Sequence, residues 1–271
     1  GKILKNDLPI GNGPNEIIAT FGQGVINDSL FWVYEGETMT IRFYHLFDII
    51  NNKSNADIIK KVEFDKNIFM FAFHIVPIAY DRFILTGSPL FKSKIQIIND
   101  QSEVLDTIGE FYNMNFDKLF YLKSAYLSLA EISPNHNRII NSFILEDMIE
   151  IYDIQTGKTI KVLHGPDNFR LVPEINEINK SDFFIANNDT KMASVCIFVQ
   201  KQYVFLLYFG TSMIDGPSSG NQMLVIDWNG NLIKHFELSE RIQDFTIDEK
   251  NHKIYAISEK GDIIYADYNI K

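Results

Sequence analysis

Apolar and polar positions alternate along most of this chain in short runs, and the runs are cut by Asn, Asp and Gly. The period is two, and no long stretch keeps a helical spacing, so strands are expected nearly throughout. MLVIDWNGNLIKHF, at 223–236, is the clearest unit: an apolar strand, a polar turn containing Asn-Gly, then a strand of mixed basic and apolar residues. MIEIYDIQTGKTIKVL, from Met148, repeats it closely, with Asp153 matching Asp227 and Gly157 matching Gly230 after one extra turn residue. KIQIINDQSEVLDTI, from Lys94, repeats it without the glycine, and MTIRFYHLFDIINNKSNADIIKKVEF, from Met39, does so with a longer turn. DIIYADYNIK, from Asp262, supplies the first strand of a further copy and then the sequence stops.

Each unit follows two more strand-like runs. They are IIATFG and LFWVYEG before the first copy, FMFAFHIV and RFILTG before the second, and LSLAEIS and RIINSFI before the third. SVCIFVQ and YVFLLYFG precede the fourth, IQDFTID and KIYAIS the last. Four strands per unit, repeated along a chain, are the signature of β-propeller blades. The third strands recur at positions 41, 95, 149, 223 and 263, so the intervals are 54, 54, 74 and 40 residues, and the longest holds an insertion or an irregular blade. KILKNDLPIGNGP, from Lys2, reads as the missing fourth strand of the last copy with its exit loop, and similar exits recur as TIGEFY and LHGPDNF. Joining the two termini closes the ring and removes an unpaired edge strand. A two-sheet sandwich is the rival architecture, and it leaves the wraparound copy unexplained. The expectation is therefore one all-β domain over residues 1–271, a propeller of four-stranded blades closed by the N-terminal strand.

Composition narrows the partners. With 46% apolar residues, 22 Phe and 12 Tyr, the chain can bury a large core. Its formal charge of -10 repels a phosphate backbone, which excludes nucleic acid as the expected partner. Cys196 is the single cysteine, so no intrachain disulfide can form, and its place inside MASVCIFVQ predicts a small buried hydrophobe. No run reaches the roughly 18 to 20 apolar residues of a membrane helix. Gly1 in place of Met is the start expected of a processed or an engineered chain, and either leaves room for an export signal cut away before it.

The local motifs favour turns over chemistry. Asp227, Asn229 and Asn231 have the spacing of an oxygen-ligand loop, but a calcium ion needs about six to eight oxygens, whereas Asn-Gly between alternating strands is a hairpin signal that asks both central residues to tolerate positive φ. The six histidines show no HxxxH or HxH spacing and are expected to be isolated surface or satisfied core residues. Ser212, Ser218 and Ser219 lack the G-x-S-x-G setting of a hydrolase nucleophile. GNGPNEI, from Gly11, lacks the lysine and helix of a phosphate cradle, and Pro14 removes a backbone donor from it. YFGTSMIDGPSSGNQ, from Tyr208, is longer than a hairpin needs, and such loops are where binding tends to sit.

The order GNGPNEI, EISPNHNRI with MIEIYDIQTGK, YVFLLYFG, VIDWNGNLIKHF and NHKIYAISEKGDIIYADY resembles the TolB-like six-bladed propeller family across nearly the whole chain. The resemblance implies an exported protein of gut-type Gram-negative bacteria, in the periplasm or at the outer-membrane surface, with a lipid-bearing cysteine upstream of residue 1. It also implies six blades where five copies are legible, which leaves 170–195 as a distorted blade or a long insertion.

Propeller ligands meet the loops around the central channel, on the face that carries the blade-to-blade connections and those between second and third strands. There the sequence places Asn15, Glu16, Glu110, Tyr112, Asn168, Arg170, Tyr208, Asp215 and Arg241 as candidate ligand-binding residues. Mixed charges and aromatics suit a protein or a glycan. No catalytic residue, metal ligand or cofactor is assigned. The functional expectation is a non-catalytic propeller binding protein or carbohydrate through this face. A metal-dependent hydrolase or lactonase with calcium in the channel, and a scaffold subunit, are the alternatives.

Overall fold

The computed structural model describes Gly11, Gly13 and residues 16–51, 57–66, 72–88, 91–111, 125–171 and 186–270. The N-terminal strand expected from Lys2, the rim positions Asn15 and Tyr112, and most of the 170–195 stretch lie outside these residues.

Among the described residues, four antiparallel sheets stand as the blades of a β-propeller. The first runs β1 (Gly22–Ile26), β2 (Leu30–Glu35), β3 (Thr40–His45) and β4 (Ile58–Glu63), with a five-residue helix α1 (Leu46–Ile50) in its longer turn. The second runs β5 (His74–Ala79), β6 (Arg82–Thr86), β7 (Ser93–Asn99) and β8 (Val104–Glu110). The third runs β9 (Ser128–Ile132), β10 (Arg138–Phe143), β11 (Met148–Asp153) and β12 (Thr159–His164). The last has six strands: β13 (Lys191–Val199), β14 (Tyr203–Ser212), β15 (Gly220–Asp227), β16 (Leu232–Asp248), β17 (Lys253–Ser258) and β18 (Ile263–Asp267).

That six-stranded sheet contains both of the last two sequence units. The 17-residue β16 pairs with β15 through residues 232–237 and with β17 through residues 242–248, and Ile242 faces partners in both. It is at once the outer strand of one unit and the inner strand of the next. No described helix is long and apolar enough to cross a membrane.

The sheets stack face to face. Trp32, Ile41 and Phe43 of the first sheet meet Ile75, Phe83 and Leu85 of the second. Ile84 and Ile95 point the other way, onto Ala130, Ile139 and Tyr152 of the third. Val204 and Leu206 of β14 pack on Ile140 and Ile151, while Phe205 and Leu207 pack on Phe245 and Ile254. Successive side chains of a strand leave opposite faces, so a strand covered on both sides becomes a continuous apolar run, as YVFLLYFG is. Outer strands escape this demand. β12 is exposed along nearly all its length, which is why TIKVLH mixes lysine and histidine into its alternation.

Polar contacts pin each blade to the next. Lys60 Nζ donates to the Tyr80 carbonyl at 2.9 Å. Lys94 Nζ lies 2.6 Å from Glu150 Oε1 across the second junction, with the Tyr152 hydroxyl donating to the other carboxylate oxygen. Arg138 donates to the Trp228 carbonyl and, at 2.8 Å, to Asn229 Oδ1.

The 227–231 turn is therefore a clamp. Asp227 Oδ1 accepts the backbone N–H groups of Asn229 (2.9 Å) and Asn231 (2.8 Å), and its other oxygen accepts the Asn231 amide at 2.8 Å. Burial works against the charged form, but these bonds outweigh it and hold the carboxyl below its ordinary value. Only Gly230 takes positive φ, at 78°, so the turn is not the type in which both central residues do. A Cβ there would sit 2.5 Å from Lys161 Cγ of the neighbouring blade.

Three expectations need correction. IIATFG is not the first inner strand: Ile17 is buried in an isolated bridge, and the strand begins at Gly22. The long loop expected within YFGTSMIDGPSSGNQ shrinks to 213–219, because β14 runs to Ser212 and β15 starts at Gly220. Cys196 packs against the core but is only half-buried. The β13–β14 register slips twice, at Met192/Ser194 and Ser194/Cys196, and each bulge resets which face the following side chains occupy.

Replacing Lys94 with Met leaves the Glu150 carboxylate buried without its cation, and a loss of about 3–5 kcal/mol is expected in chemical denaturation. The double variant Lys94→Met/Glu150→Leu should recover much of that loss.

Candidate site at the mouth of the central channel

The innermost strands touch in order, β1 to β5, β5 to β9, β9 to β13 and β13 to β16, and so ring a common axis. Between them lies a cavity of about 330 Å³ to which all five strands contribute. Thr20, Phe21 and His74 line it from the beginnings of their strands, so the cavity is near the face that carries the blade-to-blade connections.

Each strand brings a polar side chain: Gln23 from β1, His74 from β5, Glu131 from β9, Cys196 from β13 and Asp244 from β16. His74 Nδ1 accepts the Ala130 N–H at 3.3 Å, which places the proton of the neutral ring on Nε2. Burial brings its pKa down to about 4, so it is uncharged at neutral pH. Glu131 experiences the same desolvation with the opposite sign, and its pKa rises to about 8. Its carboxyl group therefore keeps its proton at neutral pH and can donate. The Cys196 thiol donates to the Gln243 carbonyl at 3.3 Å, and burial, with Asp244 beside it, pushes its pKa well up. It is a thiol and not a thiolate nucleophile.

The rim is aromatic. Phe21 is 61% exposed and Phe73 41% exposed, each just before an innermost strand and each donating its N–H, at 2.9 Å, to the second strand of its blade. The ring of Phe21 lies on Gly36, where a Cβ would come within 2.8 Å of it. At Phe73 it is the Cβ, rather than the ring, that lies over Gly87, within 2.5 Å of where a Cβ would stand. Both side chains are held against backbone with one side open.

None of the described residues expected at the rim is among those that line this cavity. Glu16 turns back to accept the Gly13 N–H at 2.8 Å, and its carbonyl accepts from Arg42 at 2.8 Å. Glu110 is exposed at the end of β8, and Arg170 and Asp215 are exposed in loops. The Asn168 N–H donates to Asp147 Oδ2 at 2.6 Å. Arg241 Nε donates to Ser219 Oγ at 3.1 Å, and that hydroxyl donates to Glu259 at 2.9 Å. Tyr208 is a correction: it is fully buried, its hydroxyl donating to Asp147 at 3.3 Å, so it supports the exit turn from behind and presents no surface.

The family can now be assigned. The TolB-like 6-blade propeller-like family matches residues 2–250. The chain belongs to this family. No curated protein matches it. Among solved structures, a crystal structure of the computationally designed Ika4 protein is similar at a TM-score of 0.42 and 8% identity, over 70% of this chain and 88% of that one.

Sequence reasoning about this TolB-like propeller missed His74, Glu131 and the exposed Phe21 because they were read as parts of strands. A signal was present. Each first-strand run carries a polar residue at the channel among apolar ones, but the five belong to separate copies and are adjacent only once the ring closes.

The two shifted groups predict a pH profile. Folded Glu131 binds a proton that the unfolded chain releases near 4.5, so stability falls as pH rises from 4.5 to about 8. His74 charges near 6.5 when unfolded but near 4 when folded, so stability falls as pH drops across that window. The two oppose each other between 4.5 and 6.5. Calorimetry should show the melting temperature declining from pH 6.5 to about 8, with the unfolding free energy falling by no more than about 1.4 kcal/mol per pH unit, and by less because the channel admits water. Glu131→Gln should abolish that decline.

Proposed function

We propose that this TolB-like propeller is a non-catalytic binding protein that takes a protein segment or a carbohydrate at the channel mouth. The single observation that carries the reading is the cavity of about 330 Å³, open between five inner strands and edged by a seated aromatic. Concave sites of roughly 300–1,000 Å³, mostly apolar with a few convergent polar groups, are where small ligands bind. Family membership supports an exported setting, in the periplasm or at the outer-membrane surface.

The test is a thermal-shift screen against glycans, peptides and divalent cations, using the parent protein and Val195→Trp, which adds bulk to the cavity lining from β13. A ligand at about 100 times its dissociation constant adds about 2.7 kcal/mol of stability. A glycan or peptide shift lost in that variant supports the reading. A calcium shift reversed by EDTA overturns it in favour of a metal-dependent hydrolase. A peptide shift that survives the substitution favours a scaffold that docks partners elsewhere.

A further inference from the structure

Resting on the reading of the channel mouth as a binding site, the geometry points to its ligand: an uncharged saccharide ring, its apolar face laid on Phe21 and its hydroxyl groups held by Glu131, His74 and Gln23. Three observations converge on this chemistry.

The first is the aromatic. A solvent-exposed phenyl ring fixed against Gly36 offers a flat apolar face with little conformational freedom left to lose. The C–H face of a pyranose is rigid and flat enough to match it. An apolar side chain could also cover Phe21, but it would leave the polar groups below it without partners.

The second is the charge of the lining. The described lining carries no lysine or arginine, so a carboxylate or phosphate would enter without a counter-charge. The chain's formal charge of -10 adds to that exclusion. Every strand but β16 presents a group that is uncharged at neutral pH, and Asp244 is exposed beside the thiol that donates to the neighbouring carbonyl.

The third is the kind of polar atom on offer. His74 presents an imidazole whose Nδ1 is already occupied by the Ala130 N–H, leaving the Nε2 proton as its free donor. Glu131 offers one O–H donor and one carbonyl acceptor while protonated. Gln23 offers an amide that donates and accepts. Directional neutral donors and acceptors around a small volume suit hydroxyl groups, each of which both gives and takes a hydrogen bond. An extended peptide would instead need a long groove or a free strand edge. The cavity is at the small end of ligand sites and fits a terminal unit or two of a glycan.

Binding is coupled to pH through Glu131. The titratable groups that share the cavity with it are His74 from β5, Cys196 from β13 and Asp244 from β16, while Thr20, Phe21, Gly22 and Gln23, at and just before β1, bring none. Once Glu131 ionises, its donor is lost and a second carboxylate joins Asp244.

Titration calorimetry with cellobiose, maltose and N,N′-diacetylchitobiose, alongside a uronic-acid disaccharide and a set of short peptides, tests the proposal. At least one neutral disaccharide should bind at pH 6, and Phe21→Ala should weaken it at least tenfold. The affinity should fall about tenfold between pH 6 and pH 9 in the parent, and the ratio should approach one in Glu131→Gln. Peptide binding that Val195→Trp removes, with no neutral saccharide bound, overturns the saccharide proposal and leaves the channel-mouth reading standing. Preference for the uronic-acid disaccharide, or saccharide binding indifferent to Phe21→Ala, also overturns the proposal. Binding of neither saccharide nor peptide overturns both readings.

Discussion

A twisted four-stranded sheet has two faces to cover and no means of covering either by itself, and this constraint organises the whole molecule. The blades solve it by stacking on one another round an axis. Middle strands such as β6 and β14 must then be apolar on both faces, while outer strands such as β12 can be half polar. Where a polar group falls at a blade junction it is matched from the next blade, as Glu150 is by Lys94 and the Trp228 carbonyl by Arg138. The 227–231 turn follows the same rule: its aspartate organises the loop, and the loop grips the adjacent sheet.

Stacking round an axis also makes the innermost strands converge, and their facing side chains share one confined space. Buried carboxylates elsewhere among the described residues are given partners. Glu35 lies 3.0 Å from Arg42 and also accepts the Ile18 N–H, while Asp147 accepts two backbone N–H groups and a tyrosine hydroxyl. Glu131 is treated differently. It is set in the channel with no cation among the described lining and meets the desolvation by keeping its proton. His74 responds to the same environment by losing its proton. The opposite shifts of an acid and a base in one cavity have one cause, and the result is a mouth rich in neutral donors.

The repeat was legible because blade packing imposes it on the sequence directly. The alternation in MIEIYDIQTGKTIKVL and MLVIDWNGNLIKHF locates β11, β12, β15 and the start of β16 closely, and the two-sided burial of the middle strands leaves the dense apolar runs. Features that depend on exceptions to the period were harder to read. Two bulges in β13 turn Cys196 toward the channel, and the unbroken β16 hides a change of partner that strand counting placed between separate strands. The site was hidden for another reason. His74 and Glu131 lie 57 positions apart and come together through tertiary closure alone, without any local motif. Reasoning from loop length selected residues such as Asn168 and Arg241, which brace the turns.

The account turns on the protonation of Glu131 at the mouth of the channel. Its most direct test is a titration of the side-chain carboxyl carbon by NMR, with ¹³C-labelled glutamate and Glu131→Gln to assign the resonance. A midpoint near 8 is the predicted result; a midpoint near the ordinary 4.5 would contradict the account, because the mouth would then hold two carboxylates rather than a neutral donor and a single charge.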